Sequence, residues 1–182
     1  MWWKAIGVVG VIWVSSCSIP VLTGTGQPSF LDGHISIAQF NRPGRMAVDS
    51  QDNLYVADIE NHRIRKITSE GIVSTFAGTG VLGHQDGNLE TAQFTYPKDL
   101  AISQTGVIYV LDWTCVRKII PTQNNSFEVK TLAGICNVKE EDDKKTENET
   151  DLAKRSIRGG SLTIDPEGNI YVATRFLLKI TL

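Results

Sequence analysis

The chain repeats itself. Residues 24–67 lie over residues 78–119 with one shared offset of 54 residues. Gly24-Thr25-Gly26 falls on Gly78-Thr79-Gly80, Asp32-Gly33 on Asp86-Gly87, Ala38-Gln39-Phe40 on Ala92-Gln93-Phe94, and Pro43 on Pro97. Leu54-Tyr55-Val56 falls on Ile108-Tyr109-Val110, and Asp58 on Asp112. The second copy then loses two residues, and Arg65-Lys66-Ile67 meets Arg117-Lys118-Ile119. A third, weaker copy aligns Ala47-Val48-Asp49 with Thr163-Ile164-Asp165, and the run from Asn53 to Ala57 with the run from Asn169 to Ala173. A repeat of this length limits the chain to architectures that use one supersecondary unit several times, each copy burying its neighbour's apolar face.

Within a copy, short β-type runs alternate with turn residues. Arg45 to Val48, Leu54 to Ala57, Arg63 to Ile67 and Val73 to Ala77 are the predicted strands of the first copy. Ser50 to Asn53, Asp58 to Asn61 and Glu70-Gly71 are the turns between them, rich in residues that satisfy their own backbone locally. Four antiparallel strands per copy predict an all-β fold of β-propeller blades, about three of them. An isolated four-stranded sheet has two faces to bury, and stacking blade on blade buries both.

At this point the residues resemble a known family. Asn53-Leu54-Tyr55-Val56-Ala57-Asp58 followed by Asn61-His62-Arg63-Ile64-Arg65-Lys66-Ile67 looks like an NHL repeat, with Asn61-His62 in the place of the family's paired letters. Ser74 to Gly80 and Asp86-Gly87 to Pro97 resemble the long inter-blade connections of bacterial and teneurin-type NHL proteins. The resemblance covers residues 19–182. The second copy departs from it with Trp113-Thr114-Cys115 in a shorter turn, and the third puts Thr174 in place of the Asp. The resemblance implies repeat-holding roles for Tyr55, Asp58, His62, Arg63, Arg65, Tyr109, Asp112, Arg117 and Tyr171. It also implies rings of six blades, or five. Pro20 to Gly26 resembles Ser74 to Gly80, so it reads as a fourth strand with no blade before it, and twelve strands are expected in all. Twelve strands make either an incomplete ring, left as an open arc, or half of a six-bladed ring closed head to tail by a homodimer.

The N-terminus reads as an address. Lys4 precedes an apolar run from Ala5 to Val14, too short to span a bilayer comfortably as a helix. Val14-Ser15-Ser16-Cys17 resembles the lipobox of bacterial lipoproteins, which implies lipidation on Cys17. The expected organisation is a signal peptide over 1–16, an anchor and N-terminal strand over 17–23, and a partial propeller over 24–182. The expected location is the cell envelope, or secretion without the lipid. An exported chain meets an oxidising compartment, where Cys115 and Cys136 either pair or remain two small core residues. Their places, between the second and third strands and just past the fourth, put them at the same side of one blade with a strand between them, so pairing needs loops to bring their Cα atoms within about 7 Å.

Composition narrows the function. Lys and Arg number 18 against 20 Asp and Glu, for a net charge of −2. A protein that grips phosphate backbones carries a basic excess, so nucleic acid is not an expected partner. Asp58 and Asp112, where the second strand turns into the third, read either as cation ligands or as carboxylates accepting turn N–H groups and pairing with Arg63 or Arg65; the second reading is preferred. His34, His62 and His84 have no second His or Cys at metal-ligand spacing. The glycines at 24, 26, 78 and 80 end strands, and no phosphate-loop pattern follows them. Lys139 to Arg155 mixes both charge signs and reads as a solvated connection. Asn124-Asn125-Ser126 and Asn148-Glu149-Thr150 fit glycosylation acceptors, relevant in a eukaryotic host.

Three functions compete. The preferred one is a non-catalytic, exported or envelope-anchored propeller that binds a protein, peptide or glycan, without a cofactor or metal. The alternative is a fragment or relative of a six-bladed hydrolase of lactonase type. Such sites set acids around the central channel, and the strand entries here, Arg45-Met46-Ala47, Asp99-Leu100-Ala101 and Ser161-Leu162-Thr163, offer one acid and no nucleophile–base pair. RNA binding, as in tripartite-motif NHL proteins, is disfavoured by the signal and the charge.

Overall fold

The computed structural model describes residues 22–24, 26–124, 126–136, 157, 160–174 and 176–181. The proposed signal and Cys17, the whole Lys139 to Arg155 run and the Asn148 acceptor lie outside them. The strands are β1 (Gly33–His34), β2 (Pro43–Val48), β3 (Leu54–Asp58), β4 (Arg63–Ile67), β5 (Ile72–Ala77), β6 (Gly87–Asn88), β7 (Pro97–Ile102), β8 (Ile108–Asp112), β9 (Cys115–Pro121), β10 (Phe127–Gly134), β11 (Ser161–Ile164), β12 (Ile170–Ala173) and β13 (Leu177–Ile180). One 3-10 turn, Ile59–Asn61, interrupts the all-β pattern.

The strands form three antiparallel sheets. Blade 1 is the meander β2-β3-β4-β5, blade 2 is β7-β8-β9-β10, and blade 3 is β11-β12-β13. The connection entering each of the first two blades swings past its outer strand and adds two residues to it, β1 on β5 and β6 on β10. The first-copy strands fall where the periodicity puts them, within two residues. The expected N-terminal strand is not seen: residues 22–24 and 26 are irregular, and Pro20, Val21 and Thr25 lie outside the described residues. Among the described residues the blades hold four, four and three strands.

Alternation along each strand puts apolar residues on both faces, which is what a stacked blade requires. Tyr55, Ala57, Ile64 and Ala77 of blade 1 meet Leu100, Ile108 and Val110 of blade 2 in one buried cluster. Tyr109, Leu111, Val116 and Ala133 on the other face of blade 2 meet Leu162, Ile170 and Val172 of blade 3 in a second. The rings of Tyr55, Phe76 and Phe127 follow one another edge to face at 4.8 and 5.1 Å under the first interface. The inner strands β2, β7 and β11 lie side by side, one from each blade, and the irregular steps at Pro43/Met46 and Pro97/Asp99 recur at the same place in blades 1 and 2.

Candidate functional site

The repeat builds one buried ion cluster twice. Arg65 on β4 is fully buried and donates from Nη1 to Asp58 Oδ2 at 2.8 Å and from Nη2 to Asp32 Oδ1 at 2.5 Å. It also donates to the backbone oxygens of Gln39 and Leu31 at 2.9 Å each. In blade 2, Arg117 on β9 donates to Asp112 at 3.4 Å, to Asp86 at 2.7 Å, and to the oxygens of Gln93 and Gln85. Every partner is the repeat equivalent of its counterpart. Asp32 and Asp86 also accept from the outer strand, through Thr75 N and Thr131 N. Each guanidinium therefore ties the turn after the second strand and the incoming connection to the third strand of one blade. A planar five-donor group suits this, because its fork meets carboxylate and carbonyl oxygens at once. The Nε of each Arg has no acceptor among the described residues. A phenylalanine ring from the connection, Phe40 at 4.8 Å or Phe94 at 5.3 Å, covers the guanidinium instead.

Asp58 and Asp112 are thus turn carboxylates, each sharing a guanidinium with a second acid, Asp32 or Asp86, so that Arg65 and Arg117 are their cations. Asp58 accepts from Asn41 N and Asn61 Nδ2. Asp112 accepts from Thr95 N and Tyr96 N. Burial pushes the Asp112 carboxyl up to about 6, against the pull of those N–H groups and of Arg117. Arg63, the other candidate partner, points elsewhere: it donates to the oxygens of Asn61 and Thr79 and stacks over Phe30. Asp32 and Asp86 were visible in the sequence only as repeated Asp-Gly pairs, 33 and 31 residues from the arginines they hold.

His62 closes the 3-10 turn in a left-handed conformation, φ 53°. Its Nδ1 lies 2.5 Å from Thr95 O, and its ring sits 5.2 Å from that of Tyr96, so the Asn-His turn of blade 1 reaches into blade 2. Trp113 occupies the same φ in the two-residue turn of blade 2 and continues the aromatic row 5.2 Å beyond Tyr96. Cys115 and Cys136 form a disulfide with Cα atoms 4.8 Å apart. The expected intervening strand does not exist: Cys115 opens β9, opposite Gly134 at the end of β10, and these two strands are neighbours.

Tyr55, Tyr109 and Tyr171 hold equivalent places on the second strands. Asp49, in the turn before Tyr55, accepts from Gln51 N and from both the backbone and side chain of Asn53. Burial works to raise its pKa, but these bonds and one from Tyr55 hold it below the usual range. The Tyr55 hydroxyl is pushed up to about 12 by burial and by the Asp49 charge. Asp165, Asn169 and Tyr171 repeat the arrangement in blade 3. Blade 2 has Ser103 in place of the acid, and burial alone raises Tyr109.

The inner strands line a groove of about 730 Å³, made by residues 44–48, 99–102 and 161–163. Arg45, Asp99 and Ser161 are the same repeat position on three successive strands. Asp99 is nearly buried. Its Oδ1 accepts from Leu100 N and its Oδ2 from Leu162 N of the next blade, each at 2.8 Å, and Arg45 Nε lies 3.6 Å away. Asp99, the one acid among the described residues that line the groove, thus joins three blades, while the Arg45 side chain stays two-thirds exposed. Among the described residues no group of three or more His, Cys, Asp or Glu is placed to hold a metal ion, and no helix is long and apolar enough to cross a membrane.

Comparison with known proteins gives the same picture from outside. The NHL repeat matches residues 40–67. Human NHL repeat-containing protein 2 is 36% identical over 100 residues, covering 53% of this chain and 14% of that protein. The chloroplastic protein SUPPRESSOR OF QUENCHING 1 of Arabidopsis thaliana is 35% identical over 83 residues, covering 43% of this chain and 8% of that one. The chain thus matches only a small part of the length of these relatives. A crystal structure of a protein of unknown function from Bacteroides thetaiotaomicron superposes with a TM-score of 0.52 at 24% identity, over 67% of this chain and 30% of that one. Through residues 40–67 the chain is similar to NHL-repeat proteins, and its sheets are the blades of a β-propeller.

Proposed function

We propose that this is a non-catalytic NHL-repeat propeller, exported and held at the cell envelope through a lipid on Cys17, that binds a peptide, protein or glycan at its inner-strand groove. The observation that carries this reading is the commitment of Asp99. Both its oxygens are occupied, Oδ1 by the N–H of Leu100 in its own strand and Oδ2 by that of Leu162 in the next blade, which leaves an exposed guanidinium and strand backbone, rather than a free acid or base, facing a ligand. Arg45 suits an anionic group, such as the carboxylate of an acidic peptide or a uronic acid.

Two measurements test it. The full chain is assayed against arrays of acidic peptides and uronic-acid oligosaccharides, and Arg45→Ala is expected to weaken the strongest binder about tenfold. Turnover of aryl esters or lactones by the same preparation, with or without divalent metal, would replace the binding reading with the hydrolase one. In a bacterial host, the chain is expected in the membrane fraction and Cys17→Ala in the soluble one; an unchanged distribution removes the anchor.

A further inference from the structure

Each blade turns one face toward the blade before it and the other toward the blade after it. The register shows which residues stand at equivalent places on the outer faces of blades 1 and 3, against which no further blade packs among the described residues; on blade 1 the connection carrying Ala38 and Phe40 covers Val56, Ile67 and Val73 and leaves β2 open. The trailing face of blade 3 carries Tyr171, Ala173 and Leu177, at the places of Tyr55, Ala57 and Ile64. Ile64 and its blade 2 equivalent Val116 are fully buried, whereas Leu177 is 77% exposed. The leading face of blade 1 carries Met46 and Val48, at the places of Leu100 and Ile102. Leu100 is 3% exposed under blade 1, whereas Met46 is 56% exposed and Val48 58%. Blade 3 thus presents one half of the blade interface and blade 1 presents the other.

The glycines give an independent indication. Gly78 and Gly134 follow equivalent alanines at the ends of the fourth strands, both at positive φ, 103° and 84°. At each, a Cβ would strike the turn between the second and third strands of the blade whose fourth strand it ends: His62 O at 2.8 Å for Gly78, and Thr114 O at 2.8 Å for Gly134. These glycines are required because a neighbouring turn packs on the backbone. Gly24 is the third member of the set, with the same twist, φ 97°, and with Phe40 beside it as Phe94 is beside Gly78. Yet a Cβ at Gly24 would meet only Phe40, at 3.9 Å, and one at Gly26 would meet nothing within 4 Å. Thr23, Gly24, Gly26, Phe40, Arg42 and Pro43 border the resulting hollow, of about 390 Å³. The backbone there is shaped for a blade turn that the described residues do not supply.

We propose that the trailing face of blade 3 in a second copy of this chain packs on Met46 and Val48, with its turn at Thr174 and Phe176 filling the hollow at Gly24, and that two such contacts close a two-chain ring of six blades. A second copy fits because one chain carries both halves of the contact. A two-fold axis then uses both at once and leaves neither half open. Six blades lies inside the range that closes. This inference does not depend on the ligand or the anchor proposed above.

The test is the light-scattering mass of the full chain, with and without Leu177→Asp, and with Leu82→Asp as an exposed control on a connection. The expected result is twice the mass of one chain, halved by Leu177→Asp at unchanged circular dichroism and unaffected by Leu82→Asp. Oxidising a mixture of Val48→Cys and Leu177→Cys chains is expected to give cross-linked dimer that Val48→Cys alone does not. A folded monomer at every concentration overturns the proposal and leaves both faces to blades of a longer chain. A dimer that survives Leu177→Asp, or open assemblies larger than two chains, overturns it as well.

Discussion

In blades 1 and 2 a fully buried arginine holds the turn, the incoming connection and the third strand together. A buried cation is tolerated only while its partners remain, so the two members of the pair do not behave alike under mutation. Asp58→Ala is expected to destabilise the chain by about 3 kcal/mol, read by denaturant unfolding, because Arg65 then keeps its charge without its closest buried acceptor. Asp58→Thr combined with Arg65→Leu is expected to recover most of that loss. Blade 3 already carries this pair of changes, with Thr174 at the Asp place and Leu178 at the Arg place, opposite Val172 as Arg65 is opposite Val56. Strictly additive losses in the double variant would count against this account. The pH dependence has a definite sign. Asp112 titrates near 6 in the fold against 3.8 as its ordinary value, so the folded chain holds that proton more tightly than the unfolded one. Its contribution is fully present below 3.8 and is lost as pH rises through 6. Asp112→Asn should therefore gain on the wild type between these values, by on the order of 2 kcal/mol, in unfolding curves recorded across that window. At this scale the sequence shows the turn acids and one of their cations, since Asp58 and Arg65 lie seven residues apart on neighbouring strands. Asp32 was not legible as their partner, because nothing in a separation of 33 residues says that a connection folds back over the strand.

Strands and their turns were the most legible part of the chain. Polar turn clusters separate the β-type runs cleanly, and the second copy confirms the boundaries of the first by repeating them. The segment from Pro20 to Gly26 is less legible: its likeness to Ser74 to Gly80 lies in the glycines, and Pro20, Val21 and Thr25 lie outside the described residues. Glycines mark the end of a fourth strand without requiring the strand itself. The disulfide was half legible: two cysteines at one side of a blade, in a chain expected to be exported, suggest pairing, but the two-residue turn 113–114 moves Cys115 onto β9 and beside the end of β10. That bridge closes a separation of 21 residues around the β9-β10 hairpin. Cys115→Ser with Cys136→Ser is expected to cost about 3 kcal/mol of unfolding free energy. Because the hairpin faces blade 3 through Val116 and Ala133, the loss should appear first as faster amide exchange in β12 and β13. Exchange that quickens only in blade 1 would contradict the placement of this staple.

For the whole molecule, the number of blades was readable from the repeat, but their mutual burial was not, because a repeat gives each blade two apolar faces without saying which is covered. The exposures of Met46 and Leu177 supply that. If the faces meet across two chains, the melting temperature rises with protein concentration, since association favours the folded form by mass action. In Leu177→Asp it should not, and a concentration-independent wild-type melt would contradict the ring. The connections that return to their own blades carry one last consequence. Asp32 meets Arg65, Asp86 meets Arg117, and each blade's ion cluster is complete within about fifty residues of chain. A growing polypeptide can therefore lock its first blade before the second has left the ribosome, and the order of synthesis becomes the order of assembly. In the proposed ring, the trailing face of blade 3 is the one that waits for another molecule.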